Sequence, residues 1–169
     1  MGLPCTKFVT VTFMKDHDTF LLRAIELAKR ARENGNHPFG ALLVGQNGEV
    51  LLGAENTVVT ERDVTGHAET NLVRNASKRF DKAVLEQATL YTSTEPCAMC
   101  SGAIYWSGIS KVVFALSEKG LLELTGNNEE NPTMHLPCRE VFKSGQRPIE
   151  VVGPMLEAEA KSVHEGFWQ

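Results

Sequence analysis

The sequence predicts an α/β fold in three layers, a central mixed sheet of about five strands with helices on both faces. Three observations carry that prediction. Short apolar runs alternate with longer segments of helical period. The first two strands are joined by a tight Gln46-Asn47-Gly48 turn, and beyond this hairpin strands and helices alternate. The 169 residues suit one domain around a single core, with an extension over residues 1–15, a variable loop over 126–138 and a C-terminal helix over 153–169.

Each element has its own signal. Asp16 and Asp18 offer caps for a helix in which Phe20, Leu21, Ala24, Ile25, Leu27, Ala28 and Ala31 recur at helical spacing until Gly35. Phe39 to Val44 and Glu49 to Ala54 are the two hairpin strands, and the polar stretch Asn56 to Gly66 reads as a loop. His67 to Phe80 is a helix with Ala68, Leu72, Val73 and Ala76 on its inner side. Ala88 to Thr92 is a strand, and Pro96 then permits a helix that runs to Gly108. A strand over Lys111 to Leu116 and a short helix over Glu118 to Leu124 follow. Arg139 to Lys143 adds a helical turn, Ile149 to Val152 a last strand, and Met155 to His164 a last amphipathic helix.

Composition excludes some classes of function. Hydrophobic residues make up 42% and charged residues 22% of the chain, ordinary for a globular protein, and no apolar run is long enough to span a membrane. The segment Met1 to Met14 lacks the basic and apolar regions of a signal peptide, so a cytoplasmic location is expected. Seventeen basic against 21 acidic residues give a net charge of −4. A protein that grips a long polyanion relies on Lys and Arg to neutralise phosphates. Here Lys29, Arg30 and Arg32 share their helix with Glu26 and Glu33, so a nucleic-acid substrate is not expected. Cys5 and Cys138 read as free thiols.

Two segments carry chemistry: Gly66-His67-Ala68-Glu69 and Glu95-Pro96-Cys97-Ala98-Met99-Cys100. Each opens a predicted helix. Cys97 and Cys100 lie one turn apart on one face, at a helix start whose partial positive charge favours the thiolate that zinc requires. His67 supplies a third ligand, and three protein ligands leave the fourth tetrahedral position open, the catalytic rather than the structural zinc pattern. Zinc lowers the pKa of a bound water from about 15.7 to about 7. Glu69, two residues beyond His67, then takes the water's proton and returns it to a leaving nitrogen. Such an assembly suits addition of hydroxide to an electron-poor C–NH₂ carbon and loss of ammonia.

Over residues 20 to 116 the sequence resembles the zinc nucleoside and nucleobase deaminase superfamily, whose H-x-E and P-C-x-x-C signature both segments match. The resemblance implies the cytidine-deaminase-like fold, a Zn²⁺ cofactor, a small heterocyclic base as substrate and a homodimer. It also implies substrate contacts from Asn56, Ala68 and Glu95. Three features, Pro38-Phe39-Gly40, Tyr91-Thr92-Ser93 and Gly102-Ala103-Ile104-Tyr105-Trp106, are most similar to bacterial guanine deaminases and plant guanosine deaminases. On that likeness Phe39 and Trp106 offer aromatic faces for a purine, the alternative being that both are core aromatics.

The likeness weakens beyond Leu116. The aspartate-bearing stretch with which guanine deaminases read their base is replaced by Leu121 to Gly126 and Asn131 to Cys138. Glu123, Asn127, His135 and Cys138 are candidates to take over recognition, and no motif selects among them. Trp106-Ser107-Gly108-Ile109 is also similar to cytosine deaminases. The expected activity is deamination of guanine or a related aminopurine or aminotriazine. The alternatives are cytosine, adenosine in transfer RNA and, in a different class, a noncatalytic zinc-stabilised module. Phe167 and Trp168 are read as a helix end packed on the core or as a lid, and burial favours the first.

Overall fold

The computed structural model describes residues 17–169; the extension, Cys5 and the Asp16 cap lie outside the described residues. In chain order the elements are α1 (His17–Glu33), β1 (Gly40–Val44), β2 (Val50–Glu55), α2 (Val58–Glu61), α3 (Ala68–Arg79), α4 (Lys82–Gln87) and β3 (Thr89–Thr94). Then come α5 (Ala98–Ser107), β4 (Lys111–Leu116), α6 (Glu118–Thr125), α7 (Cys138–Lys143), β5 (Glu150–Val152) and α8 (Glu157–Ser162). The five strands lie in the order β2-β1-β3-β4-β5. β1 runs antiparallel to β2 and β3, while β3, β4 and β5 are parallel, so the sheet is mixed as expected.

Side chains alternate between the faces of a strand, and the register carries that alternation across the sheet. Leu43, Leu90, Val112 and Val151 are paired in one row and face α3, α5 and α7. Their sequence neighbours Leu42, Tyr91, Val113 and Val152 form the opposite row and face α1, α6 and α8. The sheet therefore divides the core in two, where one core was expected. α1 presses so closely on β1 that a Cβ on Gly40 would lie 2.4 Å from the Ala24 carbonyl oxygen and the Ala28 nitrogen. Only glycine fits there.

Three expectations need correction. Asn56 to Gly66 is not wholly loop. Asn36 Oδ1 accepts from the backbone N–H groups of Val59 and Thr60 (3.1 and 3.0 Å) and so caps the short helix α2. α4 was not expected, because Leu85 is its one buried residue and gives no period to read. The segment 153–169 is helical only over Glu157–Ser162. Pro154 has no N–H, the Met155 N–H bonds to the Ala115 carbonyl at the sheet, and Leu156 has left-handed backbone (φ 54), which delays the helix. Among the described residues no helix is long and apolar enough to cross a membrane.

Candidate active site

β3 and β4 end side by side, with Thr94 paired to Leu116 and the Glu95 N–H bonded to the Leu116 carbonyl at 2.7 Å. The segments leaving them thus begin together, at the carboxyl ends of parallel strands where open α/β sheets bind ligands. The helix that follows β3, α5, has Cys97 as its N-cap, and α3 has His67 as its N-cap. Neither side chain makes a capping hydrogen bond. Both turn instead toward one point between the two helix starts.

There His67 Nδ1 lies 3.6 Å from Cys97 Sγ and 3.6 Å from Cys100 Sγ, and the three atoms fall within 4.8 Å of one another. Tetrahedral zinc with bonds of about 2.3 Å to sulfur and about 2.05 Å to nitrogen sets sulfur and nitrogen about 3.6 Å apart. The donor set fits that ion with one position left over. Of the two thiols, Cys97 is the one poised as thiolate. A hydrogen bond from Cys100, together with neighbouring His67, holds the Cys97 thiol well below its ordinary value. The same hydrogen bond, with burial, pushes Cys100 up, and Cys97 raises His67.

Glu69 occupies the second residue of α3, is buried, and lies over the same point. Its Oε1 accepts a hydrogen bond from the Thr92 hydroxyl at 2.5 Å, and Oε2 lies 3.5 Å from Cys100 Sγ. Burial raises its carboxyl pKa, and the Thr92 hydrogen bond opposes the rise. A carboxyl so placed can hold and release a proton at the atoms where a water would enter.

A cavity of about 460 Å³ opens above this cluster, within the roughly 300–1,000 Å³ of small-ligand sites. Its walls come from His37, Phe39, Val58, Val64, Met99, Glu118, Leu121 and residues 129–134, and its floor includes His67, Glu69 and Cys97. Phe39 stands in the wall, as expected, backed by the rings of His164 and Trp168 at 5.3 and 6.1 Å. Phe167 and Trp168, beyond the end of α8, pack behind His37 and Phe39 and do not line the cavity, which is packing against the core rather than a lid.

The remaining expected contacts are placed differently. Trp106 is 85% exposed and away from the cavity. It follows Ile104 by two residues, about 200° round the helix, so burial of Ile104 and Cys100 turns it outward. Ala68 is wholly buried in the core beneath α3 and does not line the cavity. Asn56 is also buried outside the lining, its Oδ1 accepting from the Val58 N–H at 3.1 Å. Glu95 does line the cavity, but both its oxygens are occupied. They accept from the backbone N–H groups of Glu118 and Cys138, each at 3.0 Å, tying the starts of α6 and α7 to the zinc-site loop.

None of Glu123, Asn127, His135 and Cys138 lines the cavity. Glu118, Glu129, Glu130 and His37 do, and sequence reasoning missed them. Glu118 had a readable signal, the first residue of a helix directly after a parallel strand. Glu129 and Glu130 lie in a stretch without period. Glu130 pairs with His37 at 3.5 Å, and burial lowers the His37 pKa.

The family model for the cytidine and deoxycytidylate deaminase zinc-binding region matches residues 14–116. The chain belongs to this family. As a member it is a zinc-dependent deaminase, with His67, Cys97 and Cys100 in position to hold the metal, and not a noncatalytic zinc module. It is 47% identical over 149 residues to the probable cytosine deaminase of Schizosaccharomyces pombe, covering 88% of this chain and 90% of that one. Over 157 residues it is 37% identical to the tRNA-specific adenosine deaminase of Bacillus subtilis, covering 92% and 91%. Its fold matches the guanine deaminase from Nitrosomonas europaea with a TM-score of 0.72 at 25% identity, over 87% of this chain and 81% of that one.

Proposed function

We propose that this deaminase acts on a free, unphosphorylated nucleobase, guanine or a related aminopurine or aminotriazine, and releases ammonia. One observation carries the reading. The cavity above the zinc ligands is lined by Glu118, Glu129 and Glu130 and, among the described residues, by no Lys or Arg. A phosphate would enter a negative field with no cation to meet it, whereas a neutral base with N–H donors finds acceptors. Zinc, when bound, supplies Lewis acidity that brings the pKa of water toward about 7. Glu69 is placed to carry one proton of the attacking water to the ring nitrogen and the second, from the hydroxyl then added to the ring, to the amine that leaves as ammonia. Phe39 offers an aromatic face to the ring.

The relative from Schizosaccharomyces pombe supports a second reading, cytosine, with the same residues in the same roles. The acidic walls weigh against adenosine in transfer RNA for the reason that they weigh against nucleotides. The proposal includes a cytoplasmic homodimer, for which light scattering is the test.

The deciding assay is ammonia release by the zinc-loaded protein from guanine, cytosine, adenine, their nucleosides and deoxycytidylate, with Glu69→Ala as control. Turnover of a free base that the Glu69→Ala protein lacks, at unchanged zinc content, supports the proposal. Activity confined to the nucleosides or to deoxycytidylate would overturn it.

A further inference from the structure

Glu118 is the acidic side chain of the cavity wall whose circumstances are hardest to explain without a ligand. It is 8% exposed and yet borders the cavity. Its backbone N–H is bonded to Glu95, but among the described residues its carboxylate has no hydrogen-bond or ion-pair partner. Of the other acidic groups along the cavity, Glu129 is exposed to water and the rest are engaged. Glu69 is held by Thr92, Glu95 by two backbone N–H groups, and Glu130 pairs with His37. The Glu118 carboxyl faces the cavity, where water can reach it, so a base that fills the cavity displaces that water and strands the carboxyl unless the base itself supplies an N–H donor.

The ring chemistry of the possible substrates then separates them. In guanine and isocytosine the amino-bearing carbon lies between an acceptor nitrogen and a ring N–H. In cytosine it lies between an acceptor nitrogen and a C–H, and in adenine between an acceptor nitrogen and the ring-fusion carbon. Glu69 deals with the acceptor nitrogen in every case, so the other flank distinguishes the classes.

We propose that Glu118 is the specificity-determining residue, accepting the ring N–H beside the amino-bearing carbon and so selecting bases of the guanine and isocytosine type over cytosine and adenine. This rests on the free-base reading above and makes a choice within it. A site built to bond an N–H rejects an analogue that lacks it far more strongly than an apolar pocket rejects a change of size.

The test compares kcat/KM of the zinc-loaded protein for guanine, 1-methylguanine, isocytosine and cytosine, in the wild type and in Glu118→Gln and Glu118→Leu, with melting temperature and zinc content measured on each protein. The wild type should prefer guanine to 1-methylguanine by at least about 100-fold. Glu118→Leu should remove most of that preference, lowering guanine and isocytosine far more than 1-methylguanine and cytosine, and Glu118→Gln, which keeps an acceptor oxygen, should retain part of it. A wild type that turns over cytosine and is indifferent to the N–H overturns the inference and leaves the free-base deaminase intact. An equal loss on all four bases in folded, zinc-replete variants also overturns it. Turnover of none of the four by the wild type removes the free-base reading and this inference with it. If neither variant folds, Glu118→Asp, which draws the carboxyl back by one methylene, makes the same comparison.

Discussion

The Thr92 hydroxyl donates to Glu69 Oε1 at 2.5 Å, from a strand residue with no exposure to a helix residue 23 positions earlier in the chain. The same hydroxyl oxygen lies 3.0 Å from the Thr94 carbonyl. Thr92 sits on β3, paired to Ala41 on one side and Phe114 on the other, so the Glu69 carboxyl is aimed by the sheet itself. Thr92→Val keeps the shape and removes the bond. A hydrogen bond to a charged group is worth about 1.5–3 kcal/mol, so kcat should fall roughly 10- to 100-fold. KM and zinc content should change little, and Thr92→Ser should recover most of the rate. Steady-state kinetics with metal analysis checks this; loss of zinc in Thr92→Val would place the residue in metal binding instead.

Removing the metal separates structure from chemistry. Chelation at neutral pH should abolish turnover and restored Zn²⁺ should return it. Cys100→Ala, which deletes one of three ligands, should lose both zinc and activity. Thermal melting should show a lower midpoint for the chelated protein, because a ligand bound only to the folded state stabilises it.

Two aromatic residues that the sequence places on equal footing should behave oppositely. Phe39 stands in the cavity wall and packs on both core clusters, so Phe39→Ala should raise KM and cost about 2 kcal/mol of stability. Trp106→Ala, at an exposed position, should leave KM unchanged and shift stability by no more than about 0.5 kcal/mol. Urea unfolding and kinetics on the two variants decide it, and a raised KM for Trp106→Ala would return that residue to the site.

Acid sensitivity should run through His164. It is buried, with Nδ1 accepting from the Trp168 indole N–H at 3.1 Å. Burial first, then Arg32, lowers its pKa from 6.5 to about 4. The unfolded chain therefore takes up the proton before the folded one. The stability that neutral His164 allows is whole above pH 6.5 and drains away as the pH falls toward 4. His164→Phe should make the loss between pH 7 and pH 5 smaller by about 2 kcal/mol in urea titrations. An identical loss in both proteins would assign the acid limb to other groups.

Much of this was legible in the chain. The hairpin announced itself through Asn47-Gly48 between apolar runs, and β4 through Lys111 to Leu116, because a buried strand bounded by turns has a local signature. The zinc ligands were legible because a metal site needs particular atoms at short, regular spacings near helix starts. α4, with one buried residue, had no such signature, and the C-terminal helix was overextended because its late start depends on a bond from Met155 to the sheet.

By itself, then, the sequence determined the layered α/β class, the ligand set His67, Cys97 and Cys100, and the proton carrier expected at Glu69. These depend on period and on short-range spacing, which are properties of a few adjacent turns of chain. The tertiary structure alone decided that Trp106 faces outward, that Glu95 spends its oxygens on α6 and α7, and that Glu118 rather than Glu123 or His135 borders the cavity. Such outcomes turn on which helix face the sheet buries and on where two parallel strands end side by side, and no local pattern of residues encodes either.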